Sequence, residues 1–188
     1  MVREVLWAHD PGCACPDDGF TLAEAVIAML LLSLVIIGAE WGVIGTLSAA
    51  ALNKQHSVAT GLVASTISEL EALPFSELEQ GLDPSWDYSH GASLAGDSNV
   101  TVSGGTYHLN IDNNATILTS QSCSSSCTDA PLVPHVSSVV VGGMTYKVSV
   151  YPTATSTSGL VNVVVVVSWV PPDGGSARVV GDVQVAKP

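Results

Sequence analysis

From Phe20 to Ala39 only one side chain can ionise, Glu24, and the next ionisable residue is Glu40. No proline falls between residue 20 and Pro74. Twenty helical residues rise about 30 Å, the thickness of a hydrocarbon core. This stretch is also longer than the apolar region of a secretory signal. The pattern predicts one helix from residue 20 to about residue 73, roughly 80 Å long. Its first half is apolar nearly all round. Further along it becomes amphipathic, with Ala59, Val63, Ile67, Leu70 and Leu73 at three- and four-residue steps and polar residues between them. Gly38 and Gly42 lie one turn apart, which suits close approach of another helix. Simple tolerance of glycine accounts for them equally.

The rest of the composition fits such a segment. Only 12 % of residues are charged, yet the net charge is −12 and the mean hydropathy is +0.42. An apolar block must raise the mean of an otherwise acidic chain. With five Lys and Arg in 188 residues, binding to nucleic-acid phosphates is not expected.

Residues 1–19 are short and polar, with turn signals at Pro11-Gly12 and Pro16-Asp17. Residues 81–98 read as a loop, through Asp83-Pro84-Ser85-Trp86, His90-Gly91 and Gly96-Asp97. Strand signals follow. Val100 and Val102 precede Gly104-Gly105, with Tyr107, Leu109 and Ile111 alternating beyond. Val136–Val141 meets Gly142-Gly143, and Tyr146, Val148 and Val150 return at period two. Leu160–Val170 is a β-branched run, read as a central strand because an unpaired edge of that composition invites aggregation. Arg178–Val185 returns after Pro171-Pro172-Asp173-Gly174. The last four strands form an expected antiparallel meander, with Thr153–Gly159 as a flexible connection. A one-faced meander needs a cover, and the amphipathic half of the long helix is the candidate. The expected class is α+β, a long N-terminal helix packed on a small antiparallel sheet. The expected divisions are 1–19, 20–52, 53–80 and 81–188.

Candidate chemistry is sparse. His56, His90, His108 and His135 are scattered without metal-ligand spacing. No nucleophile motif surrounds any serine, so neither enzyme activity nor a cofactor is expected. Trp169 reads as core, and Asn114-Ala115-Thr116 is a glycosylation sequon of the kind that arises by chance. Cys123 and Cys127 would close a small disulfide loop if this part is exported, stay reduced if it is not, or, on a weak signal, bind metal.

The run Gly19-Phe20-Thr21-Leu22-Ala23-Glu24 before an apolar helix resembles the processing and methylation motif of type IV prepilins, the family of pilus subunits and pseudopilins. The likeness is strongest over residues 19–52 and continues loosely through Glu69-Leu70-Glu71-Ala72-Leu73-Pro74-Phe75. It implies that residues 1–19 are a leader, cut between Gly19 and Phe20 by a prepilin peptidase that also N-methylates Phe20. It implies a single-pass membrane precursor with its C-terminal domain outside, drawn by an assembly platform into a surface filament of packed stems. Glu24 would then meet the Phe20 amine of a neighbouring subunit and set axial register, and Glu40 would mark the opposite membrane interface. The resemblance favours a minor pilin. A pseudopilin of a type II secretion or DNA-uptake system, or a membrane-anchored extracytoplasmic binding domain, are the alternatives.

Overall fold

The computed structural model of the chain describes residues 21–89, 91–119, 132 and 134–188. It divides into two compact units, Met1–Ser48 and Ala49–Pro188. Helix α1 runs from Leu22 to Glu71, fifty residues. In the first unit it is the described structure, and every large apolar side chain from Leu22 to Leu47 is at least 49 % exposed. Among the described residues it is the one helix long and apolar enough to cross a membrane.

In the second unit, α1 buries Ala59, Val63, Thr66 and Leu70, and Ile67 is half-buried. These are four residues of the expected apolar stripe, plus Thr66; the fifth, Leu73, lies beyond the end of the helix and is half-buried. The Thr66 hydroxyl satisfies itself on the Leu62 carbonyl at 2.9 Å. The helix stops at Glu71, and Pro74 leads into a separate short helix, α2 (Phe75–Gln80).

Two antiparallel sheets follow. Strands β1 (Val100–Ser103), β2 (Thr106–Leu109) and β3 (Ala115–Thr116) form the smaller one. Strands β4 (Val136–Val141), β5 (Met144–Ala154), β6 (Leu160–Trp169) and β7 (Ala177–Ala186) form a four-stranded meander in chain order. The β4–β5 turn is Gly142-Gly143, with φ of 59° and 80°. These are the left-handed angles that a two-residue hairpin of matching twist requires. The sheets meet where Ile117 bridges Thr153 and the Leu118 N–H donates to the Pro152 carbonyl at 2.8 Å.

Residues directly opposite in a ladder share a face, so the register assigns the core. Trp169 lies opposite Tyr146, and Val167, Val165 and Val163 lie opposite Val148, Val150 and Pro152. This face meets α1, since Trp169 Nε1 donates to Gln55 at 3.1 Å and stacks edge-on against His56. Gly181 of β7 lies on the same face, and a Cβ there would come 2.5 Å from Val63. The opposite face carries Tyr151, Ser149, Val164 and Val166, all buried. With cover on both faces, β6 needs apolar residues at successive positions, which explains its unbroken valine run. It pairs with β5 and β7, the central position expected of it.

Two expectations need correction. Residues 81–98 contain helix α3 (Pro84–Ser89) and a 3-10 turn (Leu94–Gly96). The Asp83 carboxylate starts α3, accepting from the Ser85 and Trp86 N–H groups at 2.9 and 3.2 Å. Pro84 fills the first helical position, where no N–H is needed. The expected flexible link Thr153–Gly159 begins inside β5, and its hydroxyls hold it. Thr153 donates to the Asn162 carbonyl at 3.0 Å, and Thr155 to that of Leu160 at 2.7 Å.

Candidate functional site

Two regions bring chemistry together, one in each unit. The first is the start of α1. Thr21 precedes the first helical residue, and its hydroxyl accepts from the Glu24 N–H at 3.3 Å. Glu24 answers with one carboxylate oxygen, Oε2, which accepts from the Thr21 N–H at 3.0 Å and from its hydroxyl at 2.9 Å. This reciprocal arrangement is a capping box, which satisfies donors that a helix start leaves open. The spacing Thr21-x-x-Glu24 carries that signal in the sequence, in addition to the assembly role expected of Glu24. Gly19 and Phe20 lie outside the described residues, as do Cys123 and Cys127. Glu40 lies on the exposed stretch of α1.

The second region was not legible as a site. It joins Asp87 of α3, Asp97 just after the 3-10 turn, His135 just before β4, and Tyr151 of β5. His135 Nδ1 lies 2.6 Å from Asp87 Oδ2, and Nε2 lies 3.2 Å from Asp97 Oδ2. The His135 N–H donates to the other Asp87 oxygen at 2.8 Å. The Tyr151 hydroxyl donates to Asp97 Oδ2 at 2.6 Å, and the Asn99 N–H to Asp97 Oδ1 at 2.9 Å. Asp87, Asp97, His135 and Tyr151 are all buried. A cavity of about 380 Å³ adjoins the cluster, with His135 and Asp97 in its wall beside Lys147 and Ser138.

An imidazole flanked by two carboxylates can donate from both nitrogens only when it carries two protons. Burial pushes the His135 imidazole down, but the hydrogen bonds and charges of Asp87 and Asp97 more than offset it and hold it above its usual 6.5. Burial likewise pushes the Asp97 carboxyl up. The bonds from His135, the Asn99 N–H and Tyr151, with the charge of Lys147, hold it well below the usual carboxylate range. Burial first, then Asp97, raises the Tyr151 phenol. A carboxylate thus faces each nitrogen of the ring. With both ring nitrogens engaged by carboxylates, the arrangement is that of a brace across four segments, and neither nitrogen is aimed at a nucleophile.

The other sequence candidates stay apart. Among the described residues no group of three or more His, Cys, Asp or Glu is arranged to hold a metal. Trp169 is core. Asn114 takes a left-handed φ of 61° in the turn before β3, and its carbonyl lies 3.3 Å from His108 Nδ1. A Cβ at Gly38 or Gly42 would meet nothing within 4 Å, so packing within the chain does not require glycine there. Comparison with protein-family models, with curated proteins and with solved structures finds no match.

Proposed function

We propose that this chain is a structural subunit of a type IV pilus or related filament, a minor pilin made as a prepilin and released by a cut between Gly19 and Phe20. The observation that carries the reading is the first half of α1, apolar on every side and bearing Glu24 on its third helical residue. Water is a poor solvent for that surface, since contiguous exposed apolar area of this size marks a membrane or protein contact. The two media that suit it are lipid before assembly and neighbouring stems after it.

Glu24 is what an ordinary anchor does not need. A charge within a membrane helix costs about 2.5–3.5 kcal/mol at the centre on insertion scales, and less near an end. The capping box meets part of that cost by giving Oε2 two donors. Cleavage before Phe20 would create an α-amino group, largely protonated at neutral pH because its ordinary pKa is about 8. Pairing between that ammonium and the Glu24 carboxylate of an adjacent copy would fix the stagger of the stems, a use better attested for buried ion pairs than stability. Prepilin peptidase, an assembly platform and other pilin subunits are the partners this implies.

A membrane-anchored binding domain is the second reading, favoured by the polar cavity beside His135. Replacing Glu24 separates the two. Glu24→Val should leave membrane insertion and export intact and sharply reduce incorporation into filaments, scored by immunoblot of sheared filaments against whole-cell protein. Normal incorporation removes the register role, and a chain that never enters a filament leaves the anchored domain as the better description.

A further inference from the structure

We propose that an exposed row of side chains, Ser138, Lys147, Ser168 and Arg178, running across the four-stranded sheet on the face away from α1, binds an acidic polysaccharide: each cation takes a uronate carboxylate, and the serines take sugar hydroxyls.

The register builds the row. Ser138 lies opposite Lys147, Lys147 opposite Ser168, and Ser168 opposite Arg178. Neighbouring strands lie about 4.8 Å apart, so β5 and β7 hold Lys147 and Arg178 about 10 Å apart with a hydroxyl between them. The cover on this face ends before the row. Ser149 and Val166 are buried, whereas Ser138, Lys147 and Arg178 are exposed and Ser168 is half-buried. Two of the chain's five Lys and Arg thus meet on one stretch of sheet. Neither is ion-paired or hydrogen-bonded to another described residue. Lys147 also lines two cavities, the one of about 380 Å³ beside His135 and a second of about 490 Å³. Val170 and Pro172 give the second an exposed apolar wall, which suits the C–H faces of sugar rings.

Charge density selects the ligand. Strands β4, β5 and β6 carry no acidic side chain. Asp173 stands in the β6–β7 turn, and Asp182 of β7 lies four residues from Arg178. Four strand residues span about 13 Å, beyond the Debye length of about 8 Å at physiological salt. Asp97 feels the Lys147 charge but takes its hydrogen bonds from His135, Tyr151 and the Asn99 N–H, which leaves the ammonium to a ligand. Duplex DNA carries one charge per about 1.7 Å, and a chain of net charge −12 repels so dense a polymer beyond the two contacts it could make. A polysaccharide with a carboxylate on every second sugar spaces its charges more widely, on the scale of the row, with hydroxyls between them. Arg178 can take a carboxylate through two parallel N–H donors, and Lys147 acts as a point charge. The proposal rests on the export assigned above to this domain, and filament assembly does not enter it.

Binding of the full-length chain in detergent micelles to immobilised hyaluronan, a polymer of alternating uronate and neutral sugars, tests this at low ionic strength, with dextran and duplex DNA as comparisons. Hyaluronan should bind more tightly than either, and added salt should release it. Lys147→Gln and Arg178→Gln should each weaken binding about threefold to fivefold, the range for an exposed charge contact. Lys187→Gln removes the same charge beyond the other end of β7 and should change nothing. All three side chains are exposed, so the variants keep the fold. Absence of hyaluronan binding overturns the proposal, as does equal weakening by Lys187→Gln. Dextran bound as well as hyaluronan, or DNA bound more tightly, overturns it too. The assay needs no filament, so its failure leaves the Glu24→Val test of the pilin reading standing.

Discussion

The two halves of α1 differ in what satisfies them. From Leu22 to Leu47 the large apolar side chains are all exposed, whereas from Ala59 to Leu70 the apolar stripe is buried by the chain's own sheet. The same contrast appears in the glycines. Gly181, beneath the second half, leaves no room for a Cβ against Val63, while a Cβ on Gly38 in the first half would touch nothing. One helix thus carries two kinds of hydrophobic surface, one that folds this domain and one left over for a medium outside it. Apolar residues in the first half should therefore matter to membrane insertion or association and very little to the stability of the domain.

Paired substitutions put that contrast at risk. Leu70 is fully buried, so Leu70→Ala should lose about 3 kcal/mol of domain stability in chemical unfolding of the detergent-solubilised chain. Leu31→Ala, on the exposed half, should stay within about 0.5 kcal/mol of wild type. Equal losses would mean that the first half is also part of the folded core. Gly181→Val should cost about 1–3 kcal/mol, because the stiff Val63 side chain cannot swing clear of the new Cβ. Gly38→Val should leave unfolding unchanged and lower filament incorporation if stems approach closely there. An unaltered filament level would assign Gly38 to simple tolerance.

Much of this fold follows from period and composition. The long helix is legible because the stretch to Ala39 carries a single ionisable side chain and no proline, and apolar residues then recur every three or four positions to Leu70. The meander is legible from its turns and from valines too dense for an edge. Helix α3 escapes that reading because six residues are too few to show a period. Its real signal is the cap, Asp83 followed by Pro84, which a reading for turns takes as a loop. The buried cluster around His135 is less legible still. Asp87, Asp97 and His135 carry no shared spacing, and only the docking of α3 and the 3-10 turn on β5 brings them within bonding distance. A histidine with no partner in its own stretch of chain can gain two carboxylates once the fold is set.

Mass spectrometry of the chain purified from its native membranes tests the central claim most directly. A mature protein beginning at Phe20, with the added mass of one methyl group on its amine, is the expected result. A chain that retains Met1, or one cut beyond residue 39 so that the apolar stem is lost, would contradict the account.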